Sequence, residues 1–429
     1  SMVTAWDGRL PHGVADIFGI DAARHIALRR ALREVFTSWA YQEVIPPTFE
    51  YADTQATELS PQLREEMYRF VDRDGRALAL RADLTIATAR IVGTRLYDQP
   101  LPIRLFYVGH VFRHEEPRAG RRREFTQAGV ELVGAGSAEA DAEVLAVAIT
   151  ALQRAQLPRF QLNVGHSGWF RALLASAGVS DTAAERLRLA VDRKSRAALA
   201  EAAASLPLNE AVRTALLVTP GLSGGPEVLQ QAASLAPDDH SQAAIARLEQ
   251  VYALMARKGL EGYIALDLGE VRGMQYYTGI RFEAFAPGLG VPLATGGRYD
   301  GLLAHFGPPL PAVGFALELE RLLLALSPYN LPAVAVAPHV VVAADAPPAA
   351  WPLLQTARRH GWRVEEDVLG RDREALLAHA RARGAQAVWW WDGEDGVQVQ
   401  VVGEPMARHL TLAELARSFE SAPEPDRSA

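Results

Sequence analysis

The 429-residue chain has no cysteine, which excludes disulfides, thiolate metal sites, iron–sulfur clusters and cysteine nucleophiles before any motif is read. Lysine is almost as scarce. Only Lys194 and Lys258 occur, so 42 of the 44 basic residues are arginine, the side chain suited to bidentate bonds with carboxylate or phosphate. Fifty-one acidic residues outweigh them and set the formal net charge at −7, a poor balance for a protein whose affinity rests on neutralising phosphates. A run of about 18 uncharged apolar residues occurs nowhere, and residues 1–13 show no basic segment leading into an apolar stretch. These absences predict a cytoplasmic protein with no membrane span.

Phosphate-binding signatures are missing too. There is no Gly-Lys pair for a Walker-type loop, and Gly134-Ala-Gly136 is followed by Glu139 where a dinucleotide fingerprint needs its third glycine. Gly165-His-Ser-Gly168 is one residue short of the Gly-x-Ser-x-Gly nucleophile elbow. His110 and His114 fall in an apparent strand, where four residues span about 13 Å, too far for both rings to sit about 2 Å from one zinc. Trp389-Trp-Trp391 has no interleaved basic residues and reads as packing, not as a base-stacking platform.

What is present is a long chain that is 49% hydrophobic, enough for more than one domain. Apolar side chains at helical spacing over 20–40 predict an amphipathic helix, and Glu43-Val-Ile-Pro-Pro47 predicts an edge strand or turn. Strands are expected at 77–81, 103–112, 124–132, 160–164, 264–267, 280–285 and 313–316. Few helices of crossover length separate them, so the sheet should be largely antiparallel. A helical insertion is expected over about 167–260, a linker over 328–338, a small α/β domain over 339–420 and a disordered tail over 421–429.

The most informative stretch runs from Phe112 to Gly134, a strand, an arginine-rich loop and a returning strand. Period-2 alternation puts Phe125, Gln127, Gly129 and Glu131 on one face. Gln127 and Glu131 then look into one pocket, with Gly129 leaving room for a ligand and Arg113 reaching in from the partner strand. An arginine, an amide and a carboxylate suit a zwitterion with an extra hydrogen-bonding group.

This segment resembles motif 2 of the class II aminoacyl-tRNA synthetases, in particular the histidyl enzymes. Leu78-Ala-Leu-Arg-Ala-Asp-Leu-Thr85 resembles their ammonium-binding loop, and Val271-Arg-Gly-Met-Gln-Tyr-Tyr-Thr278 their histidine signature. Thr295-Gly-Gly-Arg-Tyr-Asp-Gly301 and Val313-Gly-Phe-Ala-Leu-Glu-Leu-Glu-Arg321 resemble the approach to motif 3, and Pro47 sits where the motif 1 proline belongs. The resemblance covers residues 6–325 and implies an α+β fold: an antiparallel sheet with flanking helices, followed by a small C-terminal α/β domain similar to an anticodon-binding domain.

The departures from the synthetase pattern, Asp83 and Gln275 apart, fall near the nucleotide's phosphates. Asp83 shortens the ammonium-binding glutamate, Gln275 replaces an aspartate, Gly279 replaces a polar or basic residue, and Glu116 stands where an arginine is expected. Glu318 replaces a motif 3 glycine three residues before Arg321, within pairing distance on a helix. One added negative charge about 4 Å from a phosphate costs on the order of 4 kcal/mol at an effective dielectric near 20. A retained histidine pocket beside an eroded ATP site resembles the synthetase paralogues that act as regulatory subunits of ATP phosphoribosyltransferase.

That resemblance implies a non-catalytic protein without cofactor or metal, needed for activity of the short-form catalytic subunit and for histidine feedback in the first step of histidine biosynthesis. It also implies a homodimer core, a hetero-octamer with the catalytic subunit, and bound L-histidine. Residue by residue, Asp83 and Thr85 would hold the ammonium group, Gln127 and Arg272 the carboxylate, and Glu131 with Tyr277 the imidazole, while Arg113 and Tyr276 complete the wall. The alternative is a divergent histidyl-tRNA synthetase. Ten arginines against fourteen acidic residues from Val336 onward argue against a nucleic-acid partner.

Overall fold

The computed structural model describes residues 8–115 and 122–420, and it divides into two compact units, 1–333 and 334–429. Glu116 and the tail 421–429 lie outside the described residues. Residues 328–338 carry neither helix nor strand.

The first unit contains strands β1 (Gln42–Glu43), β2 (Phe49–Tyr51), β3 (Arg69–Val71), β4 (Ala77–Leu80), β5 (Ile103–Phe112), β6 (Glu124–Val133), β7 (Gln161–His166), β8 (Ser223–Gly224), β9 (Ile264–Asp267), β10 (Ile280–Phe285), β11 (Ala294–Arg298) and β12 (Ala312–Glu318). Nine of these form one sheet in the order β1-β5-β6-β12-β11-β10-β7-β9-β8. Only β1 with β5 and β7 with β9 pair in parallel, so the sheet is largely antiparallel, as expected. The two prolines after β1 help confine that strand to the edge, since proline has no N–H to extend a ladder. The remaining strands make a small sheet in the order β2-β4-β3.

Alternation along the central strands decides which face does what. Phe106, Ala128, Val130, Leu132, Val313, Phe315 and Leu317 belong to the main core beneath the helices Gly19–Ser38 and Ala138–Arg154. The first of these helices buries His25, Leu28, Leu32, Val35 and Phe36 at helical spacing. The opposite face of β5, β6 and β12 carries Tyr107, Gln127, Glu131 and Glu318, and it forms the floor of a cavity.

Helices fill most of residues 167–257, several of them started by side-chain caps at Ser180, Ser195, Asn209 and Asp238. β11 was not expected, because Gly296-Gly297 breaks the apolar pattern that marks a strand. Gly296 is required there: a side chain would overlap Phe315 and the Gly314 carbonyl on the adjacent strand.

The second unit has strands β13 (His339–Val342), β14 (Arg363–Glu366), β15 (Ala387–Asp392), β16 (Gly396–Val401) and β17 (Arg408–Thr411), in the order β14-β13-β15-β16-β17. Its first pairings are parallel and separated by helices; the last two strands add an antiparallel meander that the sequence reading did not include. Trp389 is buried in its core, the Trp391 indole donates to the Ala343 carbonyl at 2.8 Å, and Arg373 lies over the Trp390 ring.

Candidate functional site

A cavity of about 380 Å³ opens on the floor formed by β6 and β12, under the loop that follows β4. Arg81 anchors that loop. Its Nε donates to the His110 carbonyl at 2.6 Å and its Nη1 to the Pro46 carbonyl at 2.8 Å, and burial lowers its pKa. Two residues on, Asp83 caps the helix Leu84–Ile91 by accepting from the Thr85 N–H at 2.6 Å. Gln127 grips the same loop: its amide oxygen accepts from the Leu84 N–H at 2.8 Å and its nitrogen donates to Asp83 at 3.3 Å. Among the described residues no second acceptor takes the other amide hydrogen of Gln127, which leaves it for a ligand.

Glu131 occupies the other end of the floor and is buried. Tyr107 donates to its Oε1 at 3.0 Å and Tyr299 donates to its Oε2. Burial pushes the Glu131 carboxyl up to about 8, against the opposing effect of these hydroxyls. Tyr276 stacks on Tyr299 with ring centres 5.4 Å apart, and Tyr277 meets Tyr276 edge-on. Thr85 reaches the same group through the Tyr107 hydroxyl at 3.3 Å.

The charges around the cavity are unequally engaged. Glu58 pairs with His305 at 2.6 Å, Arg281 with Glu283 at 2.6 Å, and Arg321 with Glu318 at 2.8 Å. Burial raises the Glu318 carboxyl, with Arg321 and Arg113 opposing that rise. Arg113 is different. It donates to the Ala82 carbonyl at 3.0 Å and lies over the Phe125 ring, and among the described residues no carboxylate pairs with it. Its charge faces the cavity together with Asp83 and Glu131, one cation and two acids set apart from each other.

Seven of the eight residues expected from the sequence thus line one cavity: Asp83, Thr85, Arg113, Gln127, Glu131, Tyr276 and Tyr277. Arg272 does not. Its side chain is about half exposed and held by Glu270 at 3.2 Å, Glu283 at 3.3 Å and Asp192 at 3.6 Å. The turn at 271–277 points Tyr276 and Tyr277 inward and Arg272 away, and Arg281 of β10 supplies the arginine on that wall.

A second correction concerns Gly129. Its missing side chain makes room for the Tyr107 hydroxyl and the β12 backbone, not for a ligand. Tyr107, Tyr299 and Arg281 were missed by sequence reasoning. Tyr107 sits in the apolar run Phe106-Tyr-Val108 and reads as core, whereas its place opposite Gly129 is set by strand register.

Other sequence features resolve as structure. Ser167 is buried and donates to the Gly279 carbonyl at 3.0 Å. His110 meets Glu124 at 2.8 Å and His114 the Tyr68 hydroxyl at 3.2 Å. Among the described residues no cluster of His, Asp and Glu could hold a metal ion, and no helix is long and apolar enough to cross a membrane.

The family model described as histidyl-tRNA synthetase matches residues 13–322, which includes the whole cavity. The ATP phosphoribosyltransferase regulatory subunit of Moorella thermoacetica is 41% identical over 384 residues, covering 89% of this chain and 97% of that protein. The chain belongs to the family of ATP phosphoribosyltransferase regulatory subunits, built on the histidyl-tRNA synthetase fold. The family's member from Symbiobacterium thermophilum is 40% identical, covering 89% of this chain and 96% of that protein. A solved structure from Bacillus halodurans, described as an ATP phosphoribosyltransferase regulatory subunit/histidyl-tRNA synthetase, superposes with a TM-score of 0.77 at 29% identity, covering 90% of this chain and 98% of that one. The histidyl-tRNA synthetase of S. aureus gives a TM-score of 0.71 at 25% identity, over 96% of this chain and 99% of the enzyme.

Proposed function

We propose that this chain is a non-catalytic regulatory subunit that binds L-histidine in the cavity and joins the short-form catalytic subunit of ATP phosphoribosyltransferase, a glycosyltransferase, in the cytoplasm. The observation that carries the reading is that Arg113, which no carboxylate pairs among the described residues, faces one cavity with Asp83 and the buried Glu131. Arg113 and the free amide hydrogen of Gln127 suit a carboxylate, Asp83 and Thr85 an ammonium group, and Glu131 an imidazole N–H. Tyr107 and Tyr299 act by holding Glu131 in place, and Tyr276 and Tyr277 wall the ring. Arg113 takes the part that the sequence suggested for Arg272.

Histidine bound here alters the catalytic subunit only by binding one state of the complex better than another. A homodimer core within a hetero-octamer, with the second unit as an interaction module, completes the proposal. The competing reading, a histidyl-tRNA synthetase, is favoured by the S. aureus enzyme's match over both units. Against it stands Glu318, which engages Arg321 and, by the resemblance to motif 3, would put a carboxylate where ATP phosphates need positive charge.

Two assays separate these readings. Mixing the chain with a short-form catalytic subunit should raise phosphoribosyl transfer and make it histidine-sensitive, and histidine-dependent pyrophosphate exchange by the chain alone should be absent. Exchange activity, or no effect on the transferase, would overturn the proposal.

A further inference from the structure

The floor strands run on beyond the amino-acid cavity. Directly opposed residues of antiparallel strands point to the same side, so the pairs Glu131–Gly314, Gly129–Ala316 and Gln127–Glu318 lie in line along one face. About 13 Å of strand separates Glu131 from Gln127. The ring-binding carboxylate therefore stands at one end, and Gln127, Arg113 and Glu318 at the other. Phe125, next on that face of β6, lines a second cavity of about 620 Å³. Among the described residues, Glu318 and Arg321 alone line both cavities.

This shared pair is braced. Arg321 Nε lies 2.8 Å from Glu318 Oε2, and Arg321 Nη1 donates to the carbonyl of Pro292, itself a wall of the amino-acid cavity, at 3.0 Å. The link thus spans the carboxyl end of the cavity, from the end of β12 to the segment that enters β11.

We propose that the Glu318–Arg321 pair is a wall that admits α-amino acids with a free carboxylate and rejects the same amino acids extended at the carboxyl group. The inference rests on the histidine reading above and adds its length limit. A substituent on a carboxylate held by Arg113 projects toward Glu318, into the space that the ion pair fills. Rejection is steric for a neutral extension, and an anionic one also meets the Glu318 charge.

Competition against L-histidine, read by titration calorimetry on the full chain, tests the wall with two ligands. L-Histidinamide loses the carboxylate charge at nearly constant size, and L-histidine benzyl ester loses the same charge and adds length. The wild-type chain is expected to bind the ester at least about tenfold more weakly than the amide. Glu318→Ala should bring the two within about threefold, while Glu318→Gln, which keeps the volume, should preserve the gap. Equal binding of ester and amide by the wild type, or an unchanged gap in Glu318→Ala with the fold intact, would overturn the wall alone. Failure of L-histidine itself to bind would overturn the histidine reading and the wall with it.

Discussion

Gly314 of β12 lies directly opposite Glu131 of β6, and the Glu131 carboxylate fills the place where a side chain at position 314 would begin. Glycine is required here by space, not by backbone conformation. Gly314→Ala should therefore push the carboxylate away from Tyr107 and Tyr299, destabilising the fold by about 1–3 kcal/mol and weakening histidine binding at least about tenfold. Denaturant unfolding and calorimetry check both effects. Gly290→Ala, where a side chain meets nothing within 4 Å, should change neither.

Burial of Glu131 links stability to pH. Its carboxyl titrates at about 8 in the folded chain and near 4.3 when unfolded. Between those values folding takes up a proton, so this contribution is fully present below about pH 4 and is lost as pH rises through about 8. Glu131→Gln, which does not ionise, should remove that loss. The unfolding free energy of the wild type relative to Glu131→Gln, measured by denaturant titration, should fall steadily from pH 5 to pH 8, at up to about 1.4 kcal/mol per pH unit.

Ligand affinity should follow a bell-shaped curve for the same reason. Below about pH 6.5 the ligand ring is an imidazolium facing a protonated Glu131, and one proton must leave. Above about 8 the ring is neutral, Glu131 is anionic, and a proton must be taken up to share between them. Histidine titrations across pH 5.5–9 should give the tightest binding between those limits.

Arg113 and Arg272 should part company on mutation. Arg113 faces the cavity and, among the described residues, has no carboxylate partner, so Arg113→Gln should weaken histidine binding about 10- to 100-fold, the range for a lost charge-assisted bond. Arg272 is half exposed and bound to three carboxylates outside the cavity, so Arg272→Gln should leave affinity within about threefold. Parallel titrations of the two variants measure the difference.

These cases mark what was legible in the sequence. The hairpin 103–133 was readable because both strands are long apolar-rich runs, and alternation along the returning strand puts Gln127 and Glu131 on one face. Asp83 and Thr85 could be named only through resemblance, since a short loop has no periodicity to place it. Tyr299 and Gly314 lie within recognisable motifs, yet their meeting with Glu131 depends on the register of β11 and β12, which no local pattern carries. Arg272 was misplaced for a physical reason: a turn can point successive side chains in opposite directions, and three nearby carboxylates hold this one outward. The Glu318–Arg321 pair was foreseen from spacing, although Glu318 ends β12 rather than lying within the helix Leu319–Leu326.

The most direct test is calorimetric titration of L-histidine into the purified chain and into Glu131→Ala. One histidine per chain is predicted, with affinity lost by at least about tenfold in the variant while its circular dichroism stays unchanged. An absence of binding by a folded wild-type chain, or equal binding by Glu131→Ala, would contradict the account.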